Sequence, residues 1–437
     1  MNIVLLSGGS GKRLWPLSNE IRSKQFIKIF KTDSGYESMV QRVYRQIKNI
    51  VPNSGVTITT SKTQVSAIRN QLGEAVGISV EPCRRDTFPA IALATAYLID
   101  VKGINPEESV VVCPVDPYVE DEYFLILNRL CEQAEKEESN LVLLGIEPTY
   151  PSEKYGYIIP DSKENIARVL SFKEKPNVDE AQKFIDQGAL WNGGVFAYKL
   201  GYIRKKTSEM IGYTDYYELF NNYEKLDRIS FDYAIVEKER STQVMRFEGS
   251  WKDIGTWNTF TEAMEETILG NVKMNDKCRN THIINELNIP ILAMGLDNIV
   301  VSASPEGILV SDKDQSSDIK PFVEDIEGTV MFAEKSWGSF QVLDITLESM
   351  TIKVKLNSGH QMNYHSHQYR DEIWIVISGK GRVILDGIEK IVNAGEIISM
   401  HAGCRHTVIA DTELQIIEVQ IGKEISVEDK QKHILNS

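Results

Sequence analysis

Residues 2–6, NIVLL, form a short apolar run that ends in the glycine-rich SGGSG, with basic residues following at once. An apolar run of that length closed by glycines reads as a buried strand entering a loop. The rhythm continues with VTITT at 56–60, SVVVC at 109–113 and LVLLG at 141–145, with helical stretches at 88–101 and 122–138 lying among them. Strands alternating with helices predict an α/β layer around a mainly parallel sheet. Ligands of such sheets sit beyond the carboxyl ends of the strands. Both SGGSG and the PVDP of residues 114–117 fall at such ends.

The texture then changes twice. From about residue 270, short β-like runs (NTHIINEL, PILAMGL, NIVVSAS, GILVSD) recur with turn residues between them, as in a few coils of a β-helix. The polar DKDQSSDIK at 312–320 reads as the beginning of a linker. From about residue 335, alternating strands at 350–356, 373–377, 381–385 and 414–420 are separated by glycine-bearing turns, which suggests a small β-barrel. The expected order is a Rossmann-like domain at 1–268, a β-helix-like segment and linker at 269–333, and a barrel at 334–437.

The net charge is -14, so the chain is a poor candidate for coating nucleic acid or an anionic membrane. Any anionic substrate needs a local basic cluster. Lys12, Arg13, Arg22 and Lys24 supply one directly after the glycine-rich loop, whose backbone N–H groups can approach phosphates closely. The loop lacks Walker spacing and the third glycine of a dinucleotide fingerprint. Taken alone, it is as often an ordinary solvated turn. Asp116, just past a strand, and Asp253, in GSWKDIGTW, are candidates to hold the hard cation that such phosphoryl chemistry uses. Either aspartate alone is an unremarkable turn residue. Five scattered cysteines without a CxxC pair fit reduced thiols in the cytoplasm. The N-terminal run has no basic segment before it and reads as a strand, not a signal peptide. No apolar run reaches the ~18 residues of a membrane span.

Beyond these features the chain resembles the bacterial mannose-1-phosphate guanylyltransferases, including forms fused to a mannose-6-phosphate isomerase. The likeness rests on an ordered set: GGSGKRLWPLS with SKQF, EPCRRDTFPAIALA at 81–94, PVDPYV at 114–119, LLGIEPTYPSEKYGYI at 143–158, FKEKP at 172–176, WNGGVF at 191–196, SFDYAIVEK at 230–238 and WKDIGTW at 251–257. The resemblance implies that Leu6, Gly8, Gly9, Ser10, Gly11, Lys12, Glu81 and Arg85 hold the nucleotide. It implies that Arg13 and Lys24 act on the triphosphate and that Asp116 and Asp253 bind Mg2+. Gly156, Glu174, Lys175 and Asn192 would hold the sugar and its phosphate. The implied reaction is in-line attack of the sugar phosphate of mannose 1-phosphate on the α-phosphorus of GTP, with pyrophosphate leaving. The family's usual Arg-Asn-Thr-Ala-Pro reads Arg85-Asp86-Thr87-Phe88-Pro89 here, and Pro-Ser-Asp-His reads Pro114-Val115-Asp116-Pro117. These departures bear on base and sugar more than on reaction type. The resemblance also leaves room for a homodimer.

In the barrel, Gly359, His365-Ser366-His367, Glu372 and Gly379, then Gly395 and His406, closely match the two cupin motifs. His365 and His367 at i and i+2 of one strand face the same way. With Glu372 and His406 they could surround a divalent metal, with Zn, Mn, Ni and Fe all open. The fused relatives carry further histidines where this chain has Tyr369 and Ile373, and a C-terminal Asp-x-Tyr-Gly-Arg segment that it lacks. Three readings stand: a guanylyltransferase, or transferase for another nucleotide and sugar pair, with a structural barrel; a bifunctional enzyme that also interconverts mannose 6-phosphate and fructose 6-phosphate; and a non-catalytic sugar-nucleotide sensor.

Overall fold

The computed structural model describes residues 1–9, 12–19, 21–213, 215–324, 326, 329–423, 425–426 and 429–435. The chain forms two compact units. The first comprises Met1–Ser10, Lys24–Val65 and Glu74–Glu265, the second Gly11–Ser23, Ser66–Gly73 and Glu266–Ser437.

The first unit is built on a nine-stranded sheet in the order Gly77–Glu81, Gly55–Ser61, Asn2–Ser7, Ser109–Pro114, Leu190–Lys199, Leu141–Ile146, Thr242–Phe247, Ile166–Lys173, Tyr157–Pro160. The four apolar runs read as strands are strands. The first three pair in parallel, with Asn2 opposite both Gly55 and Val110. The expected parallel pairing holds for these strands, for Gly77–Glu81 and for Leu141–Ile146 with Thr242–Phe247, but the sheet is mixed: Leu190–Lys199 runs antiparallel to both its central neighbours, and Ile166–Lys173 antiparallel to both of its own. Strand direction depends on how the chain returns to the sheet, and apolar runs do not encode that. Helix Thr87–Ala96 is buried at every position from Phe88 onward, which explains its unbroken apolar sequence. It packs with Val4, Val110, Val112, Leu143 and Phe196 in one core. Among the described residues, no helix is long and apolar enough to cross a membrane.

The second unit begins its regular structure with β-helix coils. Ile268–Gly270, His282–Asn285 and Ile299–Ser304 stack in parallel, as do Val272–Met274 and Ile291–Ala293. Ile283, Ala293 and Val301 fill the interior. Residues 12–23 belong to this unit. Ser304 Oγ donates to the Pro16 carbonyl (2.6 Å), and Arg22 donates twice to the Glu286 carboxylate (2.7 and 2.8 Å). Arg22 therefore acts as a strut here, which is a correction to its reading as one of four phosphate-facing cations.

The barrel pairs a six-stranded with a five-stranded antiparallel sheet around Val354, Trp374, Val376, Val383, Val408 and Ile416. Strands Arg370–Ser378 and Leu414–Gly422 lie in register, with Glu372 opposite Gln420, Trp374 opposite Glu418 and Val376 opposite Ile416. With a two-residue period, the same inward faces are polar at one end (Arg370, Glu372, Glu418, Gln420) and apolar at the other (Val376, Leu414, Ile416). One end of the barrel is thus built for a polar site.

The polar stretch 312–320 carries buried Lys313, whose Nζ lies 2.8 Å from both Asn280 Oδ1 and His282 Nδ1. Burial first, and then the Lys313 ammonium, lowers the His282 pKa from 6.5 to about 4. A depressed folded-state pKa gives stability that is present above the unfolded value and is lost as pH falls through the folded one. Thermal melts of the whole chain are expected to show stability falling from pH 6.5 towards 4, and His282→Gln to flatten that part of the profile.

Candidate functional site

The first site forms where a short ribbon brings two acids together. Strand Trp251–Asp253 pairs antiparallel with Pro117–Val119, setting Asp253 opposite Pro117 and so beside Asp116. Lys24, at the start of a 3-10 turn, places its Nζ 2.7 Å from Asp116 Oδ2 and 3.7 Å from Asp253 Oδ1, and donates to the Ile254 carbonyl (3.0 Å). Both aspartates remain over a third exposed. Two carboxylate groups that converge on one point and stay open to solvent are a donor set that fits a hard divalent cation.

Strand Asn2–Ser7 ends near Asp116, with the Leu6 carbonyl accepting from Val115 N (3.2 Å), and Gly8 and Gly9 follow it; Gly9 takes φ +112°, open to glycine at little cost. A polar brace supports the turn. Gln25 Nε2 donates to Ser7 Oγ (3.0 Å), Thr60 Oγ1 contacts the Ser7 carbonyl (3.1 Å) and Gln64 Oε1 (2.8 Å), and Arg84 Nη2 donates to the Gly9 carbonyl (3.1 Å). Gln25, Thr60 and Gln64 are fully buried. Sequence reasoning missed all three, because each is a plain polar residue whose partner is set by the fold. Lys12 and Arg13 lie in a 3-10 turn that belongs to the second unit, and Ser10 and Gly11 fall outside the described residues. Glu81 ends its strand buried, accepting from Tyr223 Oη (2.8 Å), and burial raises its pKa. Arg85 donates to the Glu224 carbonyl.

The residues expected to hold a sugar phosphate come together. Asn192 N donates to the Gly156 carbonyl (2.8 Å), while Glu174 and Lys175 pair at 2.8 Å. The Glu174 side chain is 8% exposed and that of Lys175 59%, so the carboxylate is buried and the ammonium faces solvent. Lys175 holds φ +44°, a left-handed backbone rare for a side-chain-bearing residue. Its hydrogen bond to Glu174 raises its pKa. A Cβ on Gly156 would lie 2.6 Å from Glu174 Oε2 and 2.7 Å from Phe172 Cζ, so glycine is the residue that leaves room for them. Asp232, unassigned by sequence reasoning although it stands in SFDYAIVEK, joins the cluster by accepting from Asn192 Nδ2 (2.7 Å). Burial, then the Glu174 carboxylate, raises its pKa to about 6.

The second site lies at the polar end of the barrel. His365 and His367 share one short strand, and His365 pairs with His406 across the sheet. All three are buried, and their ligand atoms lie within 4.8 Å of one another. His365 Nδ1 donates to the Asn363 carbonyl (2.6 Å) and His406 Nδ1 to the Cys404 carbonyl (3.0 Å), which leaves the Nε2 lone pairs of both as acceptors. His367 Nδ1 is buried without a hydrogen-bond partner. Burial lowers the pKa of His365 to about 2 and of His367 to about 4, so both are neutral at neutral pH. Neutral, converging imidazoles fit a divalent transition metal. Glu372 stands alongside, with Oε1 accepting from Arg370 Nε (3.0 Å) and Oε2 lying 3.3 Å from His406 Nε2.

The nucleotidyl transferase family matches residues 2–268, more than half of the 437-residue chain. The chain belongs to that family. The C-terminal region of mannose-6-phosphate isomerase matches residues 327–433, the barrel. A mannose-1-phosphate guanylyltransferase of Salmonella montevideo is 26% identical over 469 residues, covering 98% of this chain and 97% of its own. The xanthan biosynthesis protein XanB of Xanthomonas campestris pv. campestris (strain B100) is 26% identical over 459 residues, covering 98% and 96%. A solved mannose-1-phosphate geranyltransferase of Thermus thermophilus superposes with a TM-score of 0.63 at 28% identity, covering 74% of this chain and 98% of its own.

Within the nucleotidyl transferase domain, Gly156→Ala is expected to displace Glu174 and Phe172. The cost should be about 1–3 kcal/mol, measured by urea denaturation against the wild type.

Proposed function

We propose that this nucleotidyl transferase makes GDP-mannose and pyrophosphate from GTP and mannose 1-phosphate with Mg2+, in the cytoplasm. The observation that carries the reading is the convergence of Asp116 and Asp253 on Lys24 in a domain of this family. The full-length likeness to a mannose-1-phosphate guanylyltransferase supports the choice of substrates.

Asp116 and Asp253 would hold the magnesium ion, which when bound neutralises charge on the triphosphate. Lys24, released from the two acids, would meet the phosphates; the resemblance gives Arg13 a part in the same task. Gly8 and Gly9 let the backbone approach closely, and the Gln25–Thr60–Gln64 brace fixes that backbone before substrate arrives. Lys175 at the pocket rim draws in the sugar phosphate, and Glu174 and Asn192 orient the sugar. No protein nucleophile is required, because the attacking phosphate oxygen is already ionised.

Pyrophosphate release from GTP plus mannose 1-phosphate tests this. Asp253→Ala should lose at least about 100-fold in kcat/KM. No release with any of the four nucleotides against a panel of sugar 1-phosphates would leave the sensor reading in its place.

The His365, His367 and His406 cluster favours a second activity. We propose that these residues, with Glu372 beside them, hold a divalent metal (Zn, Mn, Ni or Fe) and that the barrel interconverts mannose 6-phosphate and fructose 6-phosphate. His365→Ala is expected to lose the bound metal by elemental analysis and any isomerisation of fructose 6-phosphate, with pyrophosphate release unchanged. Wild-type protein that holds the metal yet is inert towards fructose 6-phosphate would reject the isomerase.

A further inference from the structure

Asp232 is an acid without an assigned task in a cluster where Glu174, Lys175 and Asn192 each have one. It opens a π-turn, Asp232–Val236, a distortion that often marks functional positions. Its backbone is tied to the rest of the pocket's frame. Phe231 N donates to Thr87 Oγ1 (2.8 Å), and Phe88 N donates to the Ile229 carbonyl (3.2 Å), so the SFDYA segment is clamped to the start of helix Thr87–Ala96.

The side chains form one connected set. Gly194 N donates to Asn192 Oδ1 (3.1 Å), which turns the Asn192 amide nitrogen towards Asp232 (2.7 Å). Asn192 is the one described side chain that donates to the Asp232 carboxyl, and the residue keeps some exposure to solvent. Glu174 and Lys175 are both close enough to act on it electrostatically. The cluster therefore presents two carboxyls, one oriented amide and one largely exposed cation. Carboxyls accept from hydroxyls, and the cation meets a phosphate, so the set has the chemistry of a phosphorylated polyol.

We propose that Asp232 determines sugar specificity: it locks the Asn192 amide in place and accepts a hydrogen bond from one ring hydroxyl of the sugar 1-phosphate. The inference rests on the transferase reading above and names a residue of the same pocket. A charge-assisted acceptor that is lost leaves both the hydroxyl and the Asn192 amide without their partner.

The test is steady-state pyrophosphate release by wild type, Asp232→Asn and Asp232→Glu. The substrates are mannose 1-phosphate and its 2-, 3-, 4- and 6-deoxy analogues. Asp232→Asn should raise KM for mannose 1-phosphate about 10- to 100-fold, with KM for GTP held within about twofold. Wild type should discriminate against one deoxy analogue by a similar factor, and Asp232→Asn should lose that discrimination, the non-additivity of two partners in one bond. Asp232→Glu keeps an acceptor and should retain part of it. Because it keeps the charge, it serves as the reading if the Asn variant melts early.

Unchanged KM for the sugar in Asp232→Asn would overturn the proposal. So would equal losses on GTP and sugar, or discrimination against every analogue that persists in both variants. Wild type without turnover on any pair would overturn the transferase reading and this inference together. Turnover without a sugar-specific effect would overturn this inference alone.

Discussion

The first site depends on one strand pairing. Residues 116 and 253 are far apart in the chain, and only the antiparallel ribbon of Trp251–Asp253 against Pro117–Val119 sets the two carboxylates side by side. Like charges held together raise their own energy, and Lys24 relieves that with a single ammonium while the acids stay reachable by solvent.

The barrel gathers its candidate cation ligands by the opposite means. Its candidate imidazole ligands are buried, those of His365 and His406 fixed in tautomer by backbone carbonyls, with Glu372, Arg370, Glu418 and Lys430 around them. Burial lifts the pKa of Glu418 to about 7, with the Glu372 carboxylate adding to it, and burial lowers that of Lys430. Exposed acids suit a hard ion that shares its shell with phosphates, whereas buried nitrogen donors suit a softer ion bound mainly by the protein. The two-residue period of the strands explains how one sheet carries both the apolar core and this polar end.

Much of this is legible in the sequence, and the exceptions share a cause. Apolar runs mark the strands of the first unit, and short β runs mark the coils and the barrel, because burial writes itself into local pattern. Strand direction does not, so the antiparallel return of Leu190–Lys199 escapes a reading of the sequence. Arg22 looks like a phosphate-facing cation because its partner, Glu286, stands 264 residues away. The Gln25–Thr60–Gln64 brace is invisible for the same reason. Asp232 lies inside a segment already singled out, and its role emerges only once its neighbour Asn192 can be seen. Local pattern reports burial and loop chemistry, and long-range partnership is reported by coordinates.

The chain also threads back and forth between its two units. Residues 12–23 and 66–73 precede most of the first unit in sequence, yet they pack with the C-terminal half. Trp15 lies against Gly307, where a Cβ would meet its ring at 2.5 Å, and Asn70 Nδ2 donates to the carbonyls of Lys335 and Gly338. Severing the polypeptide after the family's matched region would therefore not release a self-contained catalyst. It would strip Trp15, Arg22 and Asn70 of the surfaces they rest on. The C-terminal half thus serves as scaffolding for an N-terminal loop, whatever chemistry its own barrel performs.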